Sequence, residues 1–179
     1  MLKIDFDDFF ITSDTWFGRP QILQIANRTK FSDIDDMNKS MIKEWNKKVG
    51  KDDLVLHLGN FAWDPITARK ILKKLNGAIV FLLGNSDDAL IEVAHEFEGK
   101  VYISDMQIIE LEHHDAVISH YPLSDWPGKE TGTIHMHGHS VYSHKTDLRI
   151  EKRFNVCCDF WSYAPIKYST LKDIIYGKI

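Results

Sequence analysis

Two kinds of hydrophobic spacing run through this chain. In its first half, short unbroken apolar runs alternate with stretches in which apolar residues return every three or four positions. Phe9 to Thr12, Leu54 to Leu58 and Ile79 to Leu83 are such runs. They predict strands of a sheet covered on both faces, because a strand with one wet face would alternate polar and apolar residues. Met37, Met41, Trp45 and Val49 fall on one side of a helix that follows Ser32 and stops at Gly50, with Asp35 as a capping signal. Asp64-Pro65 opens a second helix, since proline is tolerated in the first turn; Ile66, Leu72 and Leu75 form its apolar face and Gly77 closes it. The order is βαβαβ, an α/β pattern. The second half changes character: Met106 to Leu111, Ala116 to Ser119, Ile134 to His137 and Phe154 to Cys157 predict short strands separated by turns, and a last helix runs from about Thr170 to Tyr176. The lysine-rich stretches 43–51 and 69–74 read as wet helix faces.

Composition narrows the class. A length of 179 residues suits one domain spanning 1–179, able to bury enough surface to fold without disulfides. Hydrophobic residues make up 44% and aromatics 12%, which excludes a disordered chain. The net charge of −4 argues against an extended nucleic-acid partner, though not against a local basic pocket. Cys157 and Cys158 are neighbours and cannot staple distant segments, so they predict buried thiols of a reducing compartment. No apolar run approaches the roughly 18 residues of a membrane span, and the acidic N-terminus is no signal peptide. The expectation is a soluble cytoplasmic protein with no membrane partner; oligomeric state is not legible.

The chemistry-bearing residues gather after predicted strand ends, where open α/β sheets carry ligands. In order they are Ser13-Asp14-Thr15-Trp16-Phe17-Gly18, His57-Leu58-Gly59-Asn60-Phe61, Gly84-Asn85-Ser86-Asp87, Ser119-His120-Tyr121-Pro122 and His137-Gly138-His139-Ser140-Val141. This series resembles, from end to end, the metal-binding motifs of the calcineurin-like metallophosphoesterases, in which Asp-x-His, Gly-Asp, Gly-Asn-His-Asp, a lone His and Gly-His-x-His follow one another. Asn155 to Pro165, with Asp159, resembles the closing strand of small stand-alone members found in phages and bacteria. The resemblance implies a four-layer αββα sandwich of two mixed β-sheets flanked by helices. It also implies the cytoplasm of a bacterial host if the chain is phage-encoded.

The departures from that pattern bear on activity. Carried over residue by residue, the first metal site of the family would use Asp14 and positions 16, 60 and 141, which here are Trp16, Asn60 and Val141. An indole N–H only donates, and valine has no ligating atom. The second site would use Asn60, Asn85, His120 and His139. The bridging carboxylate is the costly loss: two divalent ions ~3.5 Å apart repel by about 19 kcal/mol at an effective dielectric of ~20, and a neutral Asn60 does not offset that. The resemblance therefore implies at most one divalent metal (Mn, Zn or Fe) at Asn60, Asn85, His120 and His139 with Asp14 beside it. Ser86 stands where the family has its proton-transfer histidine, so no catalytic residue is assigned. Trp16, Ser86, His137 and Tyr121 are candidate ligand contacts.

Several residues carry a second reading. Asp14 suits a turn cap as well as a metal ligand. Trp16 either stacks a base or fills the space of the first metal site. His135, His137 and His139 alternate on one strand face, which is a metal-ligand spacing and also that of a solvated face. His113-His114 reads as a turn. Lys145, Arg149 and Arg153 suit a cationic phosphate rim or surface ion pairs. Trp126, Trp161 and Tyr163 suit a core, a pocket wall or a partner surface. Three functions remain open: a degenerate metallophosphoesterase-fold protein that binds and sequesters a phosphorylated ligand, a nucleotide in particular; an active single-metal phosphodiesterase or phosphatase; and a protein-interaction module with an inert pocket.

Overall fold

In the computed structural model, which describes residues 8–104, 107–111, 115–141 and 152–175, the elements run β1 (Phe10–Thr12), α1 (Ile22–Ile25), α2 (Ile34–Lys48), β2 (Leu54–His57), α3 (Pro65–Leu72), β3 (Ala78–Leu82), α4 (Asp88–Ala94), β4 (Val101–Ser104), β5 (Gln107–Glu110), β6 (Asp115–Ser119), β7 (Ile134–His137), β8 (Arg153–Asn155), β9 (Ile166–Lys167) and α5 (Tyr168–Ile175). They make two mixed sheets. The five-stranded sheet has the order β4-β3-β2-β1-β9, parallel except for the antiparallel β1–β9 pair. The four-stranded sheet has the order β5-β6-β7-β8, parallel except for β5–β6.

Side-chain alternation explains why the first-half strands read as unbroken apolar runs. Phe10, Val55, Ile79 and Phe81 point into one core with Met37, Met41 and Trp45 of α2, Ala68, Ile71 and Leu72 of α3, and Leu90 and Val93 of α4. Ile11, Leu56, Val80 and Leu82 point the other way and meet Ile109, Ala116, Ile118, Ile134, Met136 and Phe154 of the second sheet. Both faces are dry, so both parities are apolar. On the second sheet's outer face the segment 121–133, with Trp126 and a short 3₁₀ turn at Lys129–Thr131, covers His135. The result is an αββα sandwich, as the motif order implied, with a thin fourth layer. Among the described residues no helix is long and apolar enough to cross a membrane.

Some local expectations need correction. The cap of α2 is Asp33, whose carboxylate accepts the Asp36 N–H at 2.8 Å, rather than a box built on Ser32 and Asp35. Asp64 caps α3 as its position before Pro65 suggested, accepting from the Thr67 N–H at 2.9 Å. Ile66 is 76% exposed; the buried face of α3 is Ala68, Ile71 and Leu72. The short elements α1, α4, β4 and β9 carried no pattern long enough to read. Trp126 is buried with its indole N–H on the Thr133 carbonyl, Trp161 donates to the Asn155 carbonyl, and Tyr163 packs edge-on against Phe31. Met106, His113-His114, Lys145, Arg149 and Tyr176 lie outside the described residues.

Candidate metal and phosphate site

The parallel strands β1, β2 and β3 end at one edge of their sheet, and β6 and β7 end at one edge of theirs. A bridge between Ser13 and Cys157, with the Cys158 N–H on the Ser13 carbonyl at 3.0 Å, joins the two edges. The loops after these strands therefore face each other. Gly59 and Gly84 let them approach: a Cβ on Gly59 would run into the Gly84 nitrogen and the His120 ring, and one on Gly84 would lie 2.7 Å from Asn60 Oδ1.

The backbone at the site is unusual. Asp14, Trp16, Asn60 and His139 all have left-handed φ, at 55°, 52°, 59° and 65°, which costs an L-residue about 1–2 kcal/mol each. Specific hydrogen bonds hold them. The Asp14 N–H donates to the Gly59 carbonyl at 2.9 Å, and the Trp16 N–H to the Asn60 carbonyl at 3.0 Å. Buried Asp87 accepts the N–H groups of Asn60, Phe61 and Gly84 at 2.7, 2.8 and 2.6 Å, fastening the second loop to the third. Arg28, wholly buried, pairs one edge of its guanidinium, Nε and Nη2, with both oxygens of Asp159 at 2.8 Å and donates to the carbonyls of Asp14 and Thr15 at 2.7 and 2.9 Å. Neither role was assigned from the sequence. The aspartate of the third motif marked a position without revealing its work, and nothing local links Arg28 to Asp159.

Five predicted residues converge. Asn60 Nδ2 lies 2.9 Å from Asp14 Oδ1, 3.3 Å from Asn85 Oδ1 and 3.2 Å from His120 Nε2. His120 Nδ1 is 2.6 Å from the Leu58 carbonyl, which only accepts; the ring proton therefore sits on Nδ1 and the Nε2 lone pair faces the cluster. That lone pair is also 3.1 Å from Asn85 Oδ1 and 3.3 Å from His139 Nδ1. The other oxygen of Asp14 accepts the His139 N–H at 2.7 Å and the Cys157 thiol at 3.1 Å. Burial, reinforced by the Asp14 charge, pushes that thiol well above its ordinary range, so it stays protonated and donates. Asp14, Asn60 and His120 form a buried floor, and Asn85, His139 and Tyr121 an exposed rim.

The remaining candidates are placed differently. The Trp16 ring is buried in the helix-side core, with the Arg19 guanidinium 4.1 Å from its centre. Ser86 Oγ accepts from Asn85 Nδ2 at 3.2 Å. Tyr121 packs against both imidazoles, 4.9 Å from His120 and 4.8 Å from His139 between ring centres. His137 is buried and stacked on His135, so the two do not occupy a solvated face, and His139 lies beyond the strand with its own backbone turn. His135 is satisfied, with Nδ1 3.0 Å from the Val117 carbonyl and Nε2 accepting the Leu123 N–H at 3.0 Å; burial lowers its pKa to about 4. Arg153 donates to the Leu123 carbonyl. Beneath the floor, His57 is fully buried with Nε2 on the Thr15 hydroxyl at 3.0 Å, and burial followed by the nearby His120 lowers its pKa to about 3. Among the described residues no three His, Cys, Asp or Glu side chains are grouped to hold a metal ion; the converging set is two imidazoles and two amides beside one carboxylate.

No family model matches this chain. It is 30% identical over 178 residues to the uncharacterized protein MJ1445 of Methanocaldococcus jannaschii, spanning 95% of this chain and 93% of the relative. It is 25% identical over 181 residues to the Gene 66 protein of Mycobacterium phage L5, spanning 85% and 86%. Its fold is similar to the protein of unknown function AQ665 from Aquifex aeolicus, with TM-score 0.72 and 23% identity over 94% of this chain and 99% of that one. It is also similar to a structure described as a novel archaeal phosphodiesterase, with TM-score 0.50 and 17% identity over 84% and 82%. Identity at that level speaks for the fold and not for the activity. Matched along nearly the whole of both chains, the protein belongs to one family with the archaeal MJ1445 protein, on a calcineurin-like phosphoesterase fold without a complete metal-binding cluster among its described residues.

Proposed function

We propose that this protein binds a phosphorylated small molecule, a nucleotide in particular, through one divalent cation, and that hydrolysis there is lost or slow. The observation that carries this reading is the crowding of acceptors around Asn60. Asp14 Oδ1, Asn85 Oδ1 and the His120 Nε2 lone pair all face one amide nitrogen, which has only two hydrogens to give. Its own oxygen, Oδ1, is meanwhile buried with no partner. The amide nitrogen and oxygen are interchangeable by a half-turn. Turned over, Oδ1 joins a ring of lone pairs that repel one another unless a cation lies among them. The set then offers two imidazoles and two amide oxygens beside one carboxylate, which suits Mn, Zn or Fe.

Such an ion would polarise a phosphoryl oxygen. The chain's own residues explain why binding should outlast catalysis. Among the described residues the cluster has no lysine or arginine, and Asp14 repels phosphate, so a cation there would favour anion binding. No carboxylate bridges to a second ion, and Ser86 offers a hydroxyl where a histidine would move a proton, a change typically worth ~10²–10⁴-fold in rate. Tyr121 and His139 leave a rim open to a ligand.

Calorimetric titration of AMP with and without manganese tests the reading. We expect manganese-dependent binding that weakens about tenfold or more in His139→Ala, the loss of one good ligand being worth at least ~1.4 kcal/mol. Equal AMP binding in the presence of chelator would sink the cation, and no AMP binding in either condition would sink the nucleotide.

A further inference from the structure

We infer that Arg19 is a second phosphate contact beside this site, so that the ligand carries at least two phosphate groups; the inference rests on the phosphate-binding reading above. The Arg19 guanidinium packs in the corner formed by two indoles, 4.1 Å from the ring centre of Trp16 and 4.8 Å from that of Trp63. The two rings are 6.4 Å apart and tilted by 46°. Packed against two rings that meet at an angle, the planar cation loses little further freedom when its edge meets an oxyanion.

That edge is unused. Among the described residues the Arg19 side chain has no hydrogen-bond or ion-pair partner, and its Nε is buried without one. Stacking on aromatics satisfies the charge but not the N–H donors, and buried donors are ordinarily paired. Arg28 shows the usual solution in the same molecule, with every edge filled by Asp159 and backbone carbonyls.

The location ties Arg19 to the candidate site. Arg19 and Asp14 lie on one loop, Trp63 and Asn60 on the next, and the loops are laced together by Trp16 N–H to the Asn60 carbonyl at 3.0 Å and Trp63 N–H to the Phe17 carbonyl at 2.9 Å. Arg19 makes no hydrogen bond to Asp14, Asn60, Asn85, His120 or His139, so it would engage a group next to the one held there. Trp63 is 50% exposed, so the surroundings of Arg19 reach solvent. A planar fork of N–H donors beside a phosphate site matches a second phosphate, which it can engage through two parallel hydrogen bonds.

The test compares ADP with AMP, which differ by one phosphate, in calorimetry with manganese present. The wild type should bind ADP about tenfold or more tightly than AMP, the increment of a charge-assisted pair. Arg19→Gln should bring that ratio near one while leaving AMP affinity within about twofold. Arg19→Lys should recover only part of the ratio, because an ammonium lacks the fork. Trp63→Leu, which removes one of the two ring contacts without touching the guanidinium, should lower the ratio as well. An unchanged ADP-to-AMP ratio in a folded Arg19→Gln protein overturns this inference and leaves the phosphate site standing. Failure of the wild type to bind either nucleotide overturns the phosphate site itself, and this inference with it.

Discussion

Asn60 sets the charge of the site. Its amide donates 2.9 Å to Asp14 Oδ1, so a carboxylate in its place would remove a donor and set two anions against each other. In chelator, Asn60→Asp should therefore lose about 2 kcal/mol of stability, the usual cost of leaving a buried charged acceptor unpaired. Manganese should reverse the order, because an ion that binds only the folded protein stabilises it by mass action and the new carboxylate strengthens that binding. Thermal unfolding of both proteins, with EDTA and with manganese, would show a crossing of melting temperatures. Parallel shifts in both conditions would mean that position 60 faces neither Asp14 nor an ion. The sequence placed Asn60, Asn85, His120 and His139 after strand ends, and the folded chain brings them together. It could not say that Asn60 is turned to donate, because that depends on which acceptors the folded chain brings to it.

Between elements, the important contacts are braces rather than ligands. Arg28, in the loop after α1, ties the left-handed turn after β1 to the segment after β8 through Asp159 and the carbonyls of Asp14 and Thr15. Removing one member of a buried pair strands the other, at a cost of about 3–5 kcal/mol, whereas removing both can be nearly neutral. Arg28→Met should thus destabilise strongly in urea unfolding, and Arg28→Met with Asp159→Leu should recover a large part of the loss. A double variant as weak as the sum of its singles would show that the pair does not act as one unit. Patterning made the long elements legible, because α2 and the strands β1 to β3 each bury a continuous stripe. It misled at Ile66, where the apolar residue sits in the first turn of α3 beyond the core's reach and stays exposed.

At the scale of the whole molecule, burial of two neutral imidazoles links folding to pH. His57 and His135 have folded pKa values of about 3 and about 4, both lowered first by burial, against an ordinary value of 6.5. A depressed histidine pKa favours the folded state wherever the unfolded chain is neutral too. The contribution is full above pH ~6.5 and declines as pH falls, since the unfolded imidazoles bind protons that the folded ones refuse. Stability should therefore drop by about 2–3 kcal/mol per pH unit between roughly pH 5.5 and 4, the slope of two uncompensated protons. Urea midpoints from pH 7.5 to 4.5 would show it, and His57→Phe should remove about half the slope. A flat profile over that range would mean that neither ring is held neutral.

The sequence by itself determined the strand and helix framework of the first half, the order of the metal-site motifs and the positions at which they depart from it. These follow from local rules: period-two and period-3.6 burial, capping before a turn, and residue types that can or cannot ligate. Only the tertiary structure decided that Trp16 lies in the core with Arg19 packed on it, that His135, covered by Trp126, and His137 are buried rather than wet, and that Asp159 answers an arginine 131 positions away. A hydrogen-bond partner is chosen by what the closing of two sheets carries within 3 Å, and no spacing along one strand contains that information.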